Sequence, residues 1–282
     1  MAIDPKEDWA QGRGERWAAN LAGMEATLRP IDEPLVAALA IDAPLRIADI
    51  GCGGGGTSLE ILRRAPKGSI VHGYDLSPAL VGLARARIPA GEASIAFHVA
   101  DMASATPPEA PYDRVVSRFG TMFYAEPGPA FANVARFLAA GGRGRFAFAV
   151  WGPPAENPWI GIVREVAAAM VDLPTPEPDA PGPFRYADPA PLVALLEAAG
   201  LGEIAIAAWR GDLPVGGGLP VEAAAAFAVE SFGPFGELLA AKGGDAIERA
   251  RRAVGERLRD HVKGGLVQVP AHVHIVTGVR SR

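Results

Sequence analysis

Three observations predict an α/β fold built on a doubly wound, mostly parallel sheet. Short apolar runs alternate with amphipathic stretches of helical period between residues 45 and 151. The first apolar run, LRIADI, enters a tight glycine loop, CGGGG, that opens directly into a helical stretch. The second ends at Asp75, just before Ser77 and Pro78, which suit an N-cap and a first helical turn. Such alternation places helices on both faces of the sheet and ligands beyond the C-terminal ends of the strands.

Taken in order, the residues before 42 read as helices, with Trp9, Trp17 and Met24 spaced about two turns apart so that one face gathers them. LRIADI (45–50) is the first strand, with TSLEILRRA as its helix; SIVHGYD (69–75) is the second, followed by the helix SPALVGLARARI. SIAFHVAD (94–101) and DRVVSR (113–118) are the third and fourth strands. A helix through PAFANVARFLAA and a turn at Gly141 and Gly142 lead into the fifth, RGRFAFAVW. After a proline-rich break, DPAPLVALLEAAG is a helix that starts on Asp-Pro and closes at Gly200. Strands at LGEIAIAAW and LVQVPAHVHIVTGV finish the chain, the last expected to return antiparallel beside its predecessor. The expected organisation is one domain over 1–282: an N-terminal helical cap (1–42), a core (43–151), an insert (152–188) and a C-terminal core (189–282) carrying a helical cap insert at 210–265. These three non-core segments are expected to converge over one site. Within the insert, LPTPEPDAPGPF reads either as a lid or as a rigid surface connection.

Composition narrows the class. A chain of 282 residues, 49% hydrophobic and 21% charged, can bury a substantial core. The net charge of −5 argues against a nucleic-acid partner, and the densest basic run, ERARRAVGERLRDHVK, interleaves acids at helical spacing as a solvated face does. One cysteine excludes an internal disulfide and a multi-cysteine metal site. No basic region precedes an apolar core at the N-terminus, and no apolar run approaches a membrane span, so no membrane insertion and a cytoplasmic location are expected.

The glycine run satisfies two fingerprints, G-x-G-x-x-G of a dinucleotide site and D-x-G-x-G-x-G of an S-adenosylmethionine site. Flanking residues discriminate. Asp49, two residues before the first glycine, would repel a pyrophosphate but suits the ammonium of a sulfonium amino acid. Thr57 and Glu60 form a T-x-x-E capping box that would leave Gly56 outside the helix, where a dinucleotide site wants its third glycine. Asp101 after the third strand can accept an adenine amino group while Met102 packs on the ring. Asp75 suits a ribose in either reading.

These residues resemble class I S-adenosylmethionine-dependent methyltransferases, most like small-molecule enzymes of the ubiquinone and menaquinone methyltransferase type. The likeness runs through ADIGCGGG, GYDLSPALVGLAR, HVADM, YDRVVSRFGTMFY and LAAGGRGRFAFAVW, roughly residues 45 to 151. It implies a Rossmann-like, seven-stranded sheet with one antiparallel strand near the C-terminus. It also implies S-adenosylmethionine as cofactor, S-adenosylhomocysteine as product, and a small-molecule acceptor. Carried onto this chain, Asp49, Gly51, Cys52, Gly53 and Gly55 lie near the methionyl part, Asp75 with Leu76 and Ser77 near the ribose, Asp101 and Met102 near the adenine, and Ser117 and Arg118 beside the methyl end.

No catalytic residue is transferable to the substrate half. Methyl transfer is an in-line displacement that positioning alone can accelerate, and it calls for no metal. Phe119, Phe123 and Tyr124 after the fourth strand, with Trp17 from the N-terminal segment, are the candidate acceptor contacts. Arg118 reads equally as a partner for a carboxylate or phenolate and as a structural ion pair. His72 and His98 read as structural strand residues. His272 and His274 share one face of the last strand, as sheet packing, a metal pair or substrate contacts. The expected activity is methylation of a small, partly apolar molecule, oxygen preferred over nitrogen or carbon. The alternatives are an NAD(P)-dependent oxidoreductase and a non-methylating S-adenosylmethionine-binding protein.

Overall fold

A computed structural model describes residues 5–173 and 179–281. The N-terminal segment forms α1 (Pro5–Ala10), α2 (Gly12–Ala19), α3 (Leu21–Leu28) and α4 (Asp32–Ala38). The core then alternates as expected: β1 (Arg46–Ile50), α5 (Gly56–Arg64), β2 (Ile70–Asp75), α6 (Pro78–Ala86), β3 (Ile95–Val99), β4 (Arg114–Arg118), α7 (Pro127–Phe137) and β5 (Arg145–Trp151). The insert contributes α8 (Pro158–Ala168), and the C-terminal part runs through α9 (Ala190–Ala198), β6 (Leu201–Pro214), α10 (Val221–Ser231), α11 (Phe235–Lys242), α12 (Ala246–Leu258), β7 (Val262–Lys263) and β8 (Leu266–Arg280).

Strand order is β3-β2-β1-β4-β5-β8-β6, with the two-residue β7 paired onto β8. β1 to β5 are parallel, and β8 runs antiparallel between β5 and β6. This is the expected mostly parallel sheet with one antiparallel strand in its main path. β5 is buried along nearly its whole length because helices cover both faces, whereas β6 alternates with exposed residues as an edge strand does. Order reverses between β1 and β4, and the crevice at such a switch point is where ligands bind in open α/β sheets.

One boundary differs from expectation. The strand LGEIAIAAW continues to Pro214, so the cap insert begins after 214 rather than at 210. Beyond the last β5–β8 pair, Trp151 with Val273, β6 and β8 stay paired to Pro214 and Gln268. The resulting ribbon overhangs the C-terminal sheet edge and carries α10 to α12 above it. The insert contains the regular helix α8 ahead of its proline-rich stretch. Asn157, fully buried just before that helix, donates to the carbonyls of Gly152, Pro153 and His272 and accepts the His272 N–H, tying the insert to β8. The proline-rich stretch falls partly on residues 174–178, outside the described residues.

The Thr57 capping box is corrected. α5 starts at Gly56, with Gly55 in the left-handed conformation at its N-cap (φ 83°). Thr57 sits inside the helix and donates to Asp32 Oδ1 at 2.8 Å, while Glu60 pairs with Arg63 and Arg64. The Gly56 N–H donates instead to Glu25 Oε1 at 3.1 Å. A carboxylate from α3 caps the helix from outside, which favours the positive end of the helix dipole more than a local hydroxyl would.

Candidate functional site

The strand ends, the N-terminal helices, the insert and the C-terminal cap enclose one cavity of about 310 Å³. Of the residues expected at a ligand site, Asp49, Gly51, Cys52, Gly53, Asp75, Leu76, Asp101, Met102 and Arg118 line it, as do Trp17, Phe119, Phe123 and Tyr124.

Three expected residues do not line it. Ser117 is fully buried and donates to the Ile50 carbonyl at 2.7 Å, bracing the end of β1 against β4. Ser77 caps α6 by accepting the Leu80 N–H, and α2 covers it: a Cβ on Gly14 would lie 2.5 Å from its Oγ. Gly55 faces the sheet, where a Cβ would meet the Phe97 ring at 2.6 Å, so its role is close packing.

The acids at the strand ends are held differently. Asp75 Oδ2 accepts the Gly53 N–H and Oδ1 accepts the Ser77 N–H, both at 2.9 Å, so one carboxylate shapes the loop and starts the next helix. Burial pushes its pKa up against the pull of these backbone donors. Asp49 is 1% exposed and accepts from Ser58 Oγ at 2.6 Å. Burial raises its pKa to about 7, while Ser58 and Arg118 oppose the rise. Asp101 closes a turn by accepting from the Ala103 N–H and Ser104 Oγ, and it still borders the cavity. Cys52 is buried in the loop, and burial pushes its thiol well up, away from nucleophile chemistry.

Arg118 is a structural partner. Its Nη1 donates to both Asp32 oxygens at 3.0 Å, with each side chain about 10% exposed. Asp32 therefore joins α4, β4 and α5 beneath the cavity.

On the aromatic side of the cavity, Trp17, Phe119, Phe123 and Tyr124 were expected, whereas Trp151, Trp159, Ser231 and Phe232 were missed by sequence reasoning. Phe119 adopts a left-handed backbone (φ 64°), and its ring stacks on Trp151 at 4.1 Å with a 3° interplanar angle. Trp159 lies 4.8 Å from Trp151 and edge-on to Phe232 at 5.2 Å. Trp9 meets Phe123 edge-on at 5.1 Å and Trp17 at 6.1 Å. Trp9, Trp159 and Ser231 each bury a polar atom without a hydrogen-bond partner, as does the Tyr124 hydroxyl. The local spacing of Trp9 and Trp17 was legible, but Trp151, Trp159, Ser231 and Phe232 belong to no local motif.

The remaining candidates fall elsewhere. His72 bonds the Tyr112 hydroxyl at 2.7 Å and His98 stacks on Tyr74, both structural. His272 and His274 are buried, with His272 beside Glu156 at 3.2 Å. Among the described residues no group of three or more His, Cys, Asp or Glu is placed to hold a metal, and no helix is long and apolar enough to cross a membrane.

Residues 47–142 match a family model described as a methyltransferase domain. The chain is 32% identical over 122 residues to demethylmenaquinone methyltransferase of Deinococcus radiodurans, covering 43% of this chain and 49% of that protein. It is 34% identical over 134 residues to trans-aconitate 2-methyltransferase of Methylobacterium nodulans, covering 47% and 48%. The matches thus span about half the length of these relatives. The crystal structure of the YcgJ protein of Bacillus subtilis superposes with a TM-score of 0.58 at 15% identity, covering 90% of this chain and 99% of that one, which speaks for the fold. Residues 47–142 are thus similar to a methyltransferase domain, and the sheet built on them has the fold of that solved structure.

Proposed function

We propose that the protein transfers a methyl group from S-adenosylmethionine to a small, partly apolar acceptor, preferably at oxygen. The observation that carries this reading is the Glu25 carboxylate on the Gly56 N–H. In a dinucleotide enzyme that helix start takes the pyrophosphate, and a second anion there would be repelled. With Asp49, Asp75 and Asp101 also at the cavity, the loop suits a ligand whose near end is cationic.

The residues fit the cofactor. A Cβ on Gly53 would stand beside the Trp17 indole at 4.0 Å, so the glycine leaves room where the backbone must be approached closely. Asp75 borders the cavity, and the acceptor capacity its carboxylate keeps after its backbone hydrogen bonds suits a ribose hydroxyl. Asp49 and the Gly51–Gly53 backbone would hold the methionyl part; Leu76, Asp101 and Met102 would hold the adenosine. When bound, S-adenosylmethionine would supply an electrophilic methyl group to the acceptor.

The chain's contribution is orientation and water exclusion. The N-terminal helices, Trp159 of α8 and Phe232 after α10 close over the strand ends, so two reactants are held together in a largely apolar space. Calorimetry with S-adenosylmethionine, S-adenosylhomocysteine and NAD(P)H tests the reading. Binding of the first two is expected. Failure of both to bind at millimolar concentration, or tight NAD(P)H binding, would overturn it.

A further inference from the structure

We propose that Arg87 is a positioning residue for the cofactor: from outside the cavity, and together with Glu25, it clamps the glycine loop in the shape that receives S-adenosylmethionine; this rests on the methyltransferase reading above. Arg87 is the C-cap of α6 and lines no part of the cavity, whereas Glu25, Gly51, Gly53 and Gly54 do. One guanidinium nitrogen makes both of its contacts. Arg87 Nη1 donates to the Gly54 carbonyl at 2.6 Å and to Glu25 Oε1 at 2.7 Å, and the same Oε1 accepts the Gly56 N–H at 3.1 Å.

The glycine run records how closely α3 lies on this loop. Gly53 and Gly55 have left-handed backbones, φ 54° and 83°, but Gly54 and Gly56 are glycines for another reason. A Cβ on Gly54 would collide with the Leu21 side chain, and one on Gly56 would stand 2.8 Å from the Glu25 carboxyl. Leu21 and Glu25 are about one turn apart on α3, so one helix face presses on the loop from outside.

Backbone bonds within the loop define what the clamp holds. The Gly54 carbonyl and the Gly55 N–H belong to one planar peptide group. The first goes to Arg87 and the second to the Cys52 carbonyl at 2.9 Å, so that plane is fixed on both sides. From the cavity side Asp75 Oδ2 takes the Gly53 N–H. Glycines are otherwise free to turn, and a loop in its receptive shape only about a tenth of the time binds about tenfold more weakly. The Arg87 and Glu25 side chains are 37% and 18% exposed, so as an ion pair they add little to overall stability. Their consequence is local order.

The test combines calorimetry with S-adenosylhomocysteine and amide hydrogen exchange of the ligand-free full chain. Arg87→Ala should weaken S-adenosylhomocysteine about five- to twentyfold and speed exchange at the Gly55 N–H about tenfold, while the amides of β5 keep their protection. Arg87→Lys should recover most of both, because no bidentate fork is used and one ammonium can meet the same two oxygens. Arg87→Ala binding within about twofold of the wild type, unchanged exchange at Gly55, an equal loss of protection in β5, or Arg87→Lys as weak as Arg87→Ala would each overturn the proposal. Failure of the wild type to bind S-adenosylhomocysteine would instead strike the methyltransferase reading, and exchange at Gly55 would still decide whether Arg87 holds the loop.

Discussion

Replacing Asp49 by Asn should stabilise the ligand-free protein at alkaline pH and weaken its hold on S-adenosylmethionine. The carboxyl is 1% exposed, with Ser58 Oγ as its hydrogen-bond donor, and burial raises its pKa from 3.8 to about 7. Each tenfold change in proton affinity is worth about 1.4 kcal/mol, so keeping this group ionised in the fold costs up to about 4 kcal/mol. The sign follows from which state binds the proton more tightly. The folded state does, so the contribution to stability is full below about pH 4, is lost as pH rises through about 7, and is flat above that. Asn carries no charge at any of these values. The gap between variant and wild type should therefore widen from about pH 4 to pH 8 by about 2 to 4 kcal/mol. Whatever Asn loses in its bond with Ser58 is independent of pH and drops out of that difference. For a chain of this size each kcal/mol moves Tm by about 2 °C, so thermal unfolding at a series of pH values resolves the effect. On the ligand side, losing a hydrogen bond to a charged group should cost about 1.5 to 3 kcal/mol, roughly ten- to a hundredfold in affinity by calorimetry. A gap that does not change with pH would refute the burial argument. Unchanged ligand affinity would remove Asp49 from the site.

Phe119 offers a comparison of two truncations. Phe119→Ala and Phe119→Gly both lose the stack on Trp151, but only glycine adopts φ 64° without penalty, so the Gly variant should be the more stable by about 1 kcal/mol in urea unfolding. Equal stability, or a more stable Ala variant, would contradict the left-handed assignment. Asp32→Ala leaves the Arg118 guanidinium buried without its carboxylate and should destabilise by about 3 kcal/mol. A loss below about 1 kcal/mol would mean that water or another acid replaces the pair. Cys52 should react with a thiol reagent only after denaturant is added, because burial both shields the sulfur and disfavours the thiolate. Rapid labelling of the native protein would require the glycine loop to open.

Much of the fold was legible because it is written locally. The alternation of apolar runs and helical stretches, the Ser77 N-cap and the glycine loop all depend on residues within one turn of each other. So did the acids of the site: Asp49, Asp75 and Asp101 lie at or just beyond the ends of parallel strands, where the chain must turn toward the ligand side. Side-chain direction was less legible than position. Ser117 and Gly55 occupy expected places in the sequence yet point into the sheet and its packing. The Thr57 capping box failed because a local motif competes with any stronger distant partner, and Asp32 and Glu25 are such partners.

The sequence by itself determined the alternation of strands and helices and the acidic, glycine-lined half of the cavity, since strand periodicity and turn chemistry act over a few residues. Tertiary structure alone decided the rest. Glu25 reaches the start of α5 from 31 residues away, and Asp32 meets Arg118 across 86. The aromatic wall exists only because the insert and the β6–β8 ribbon bring Trp159 and Phe232 over the strand ends to meet Phe119 and Trp151. Their contact is set by burial of apolar area between distant segments, a force that has no direction along the chain and leaves no spacing to read.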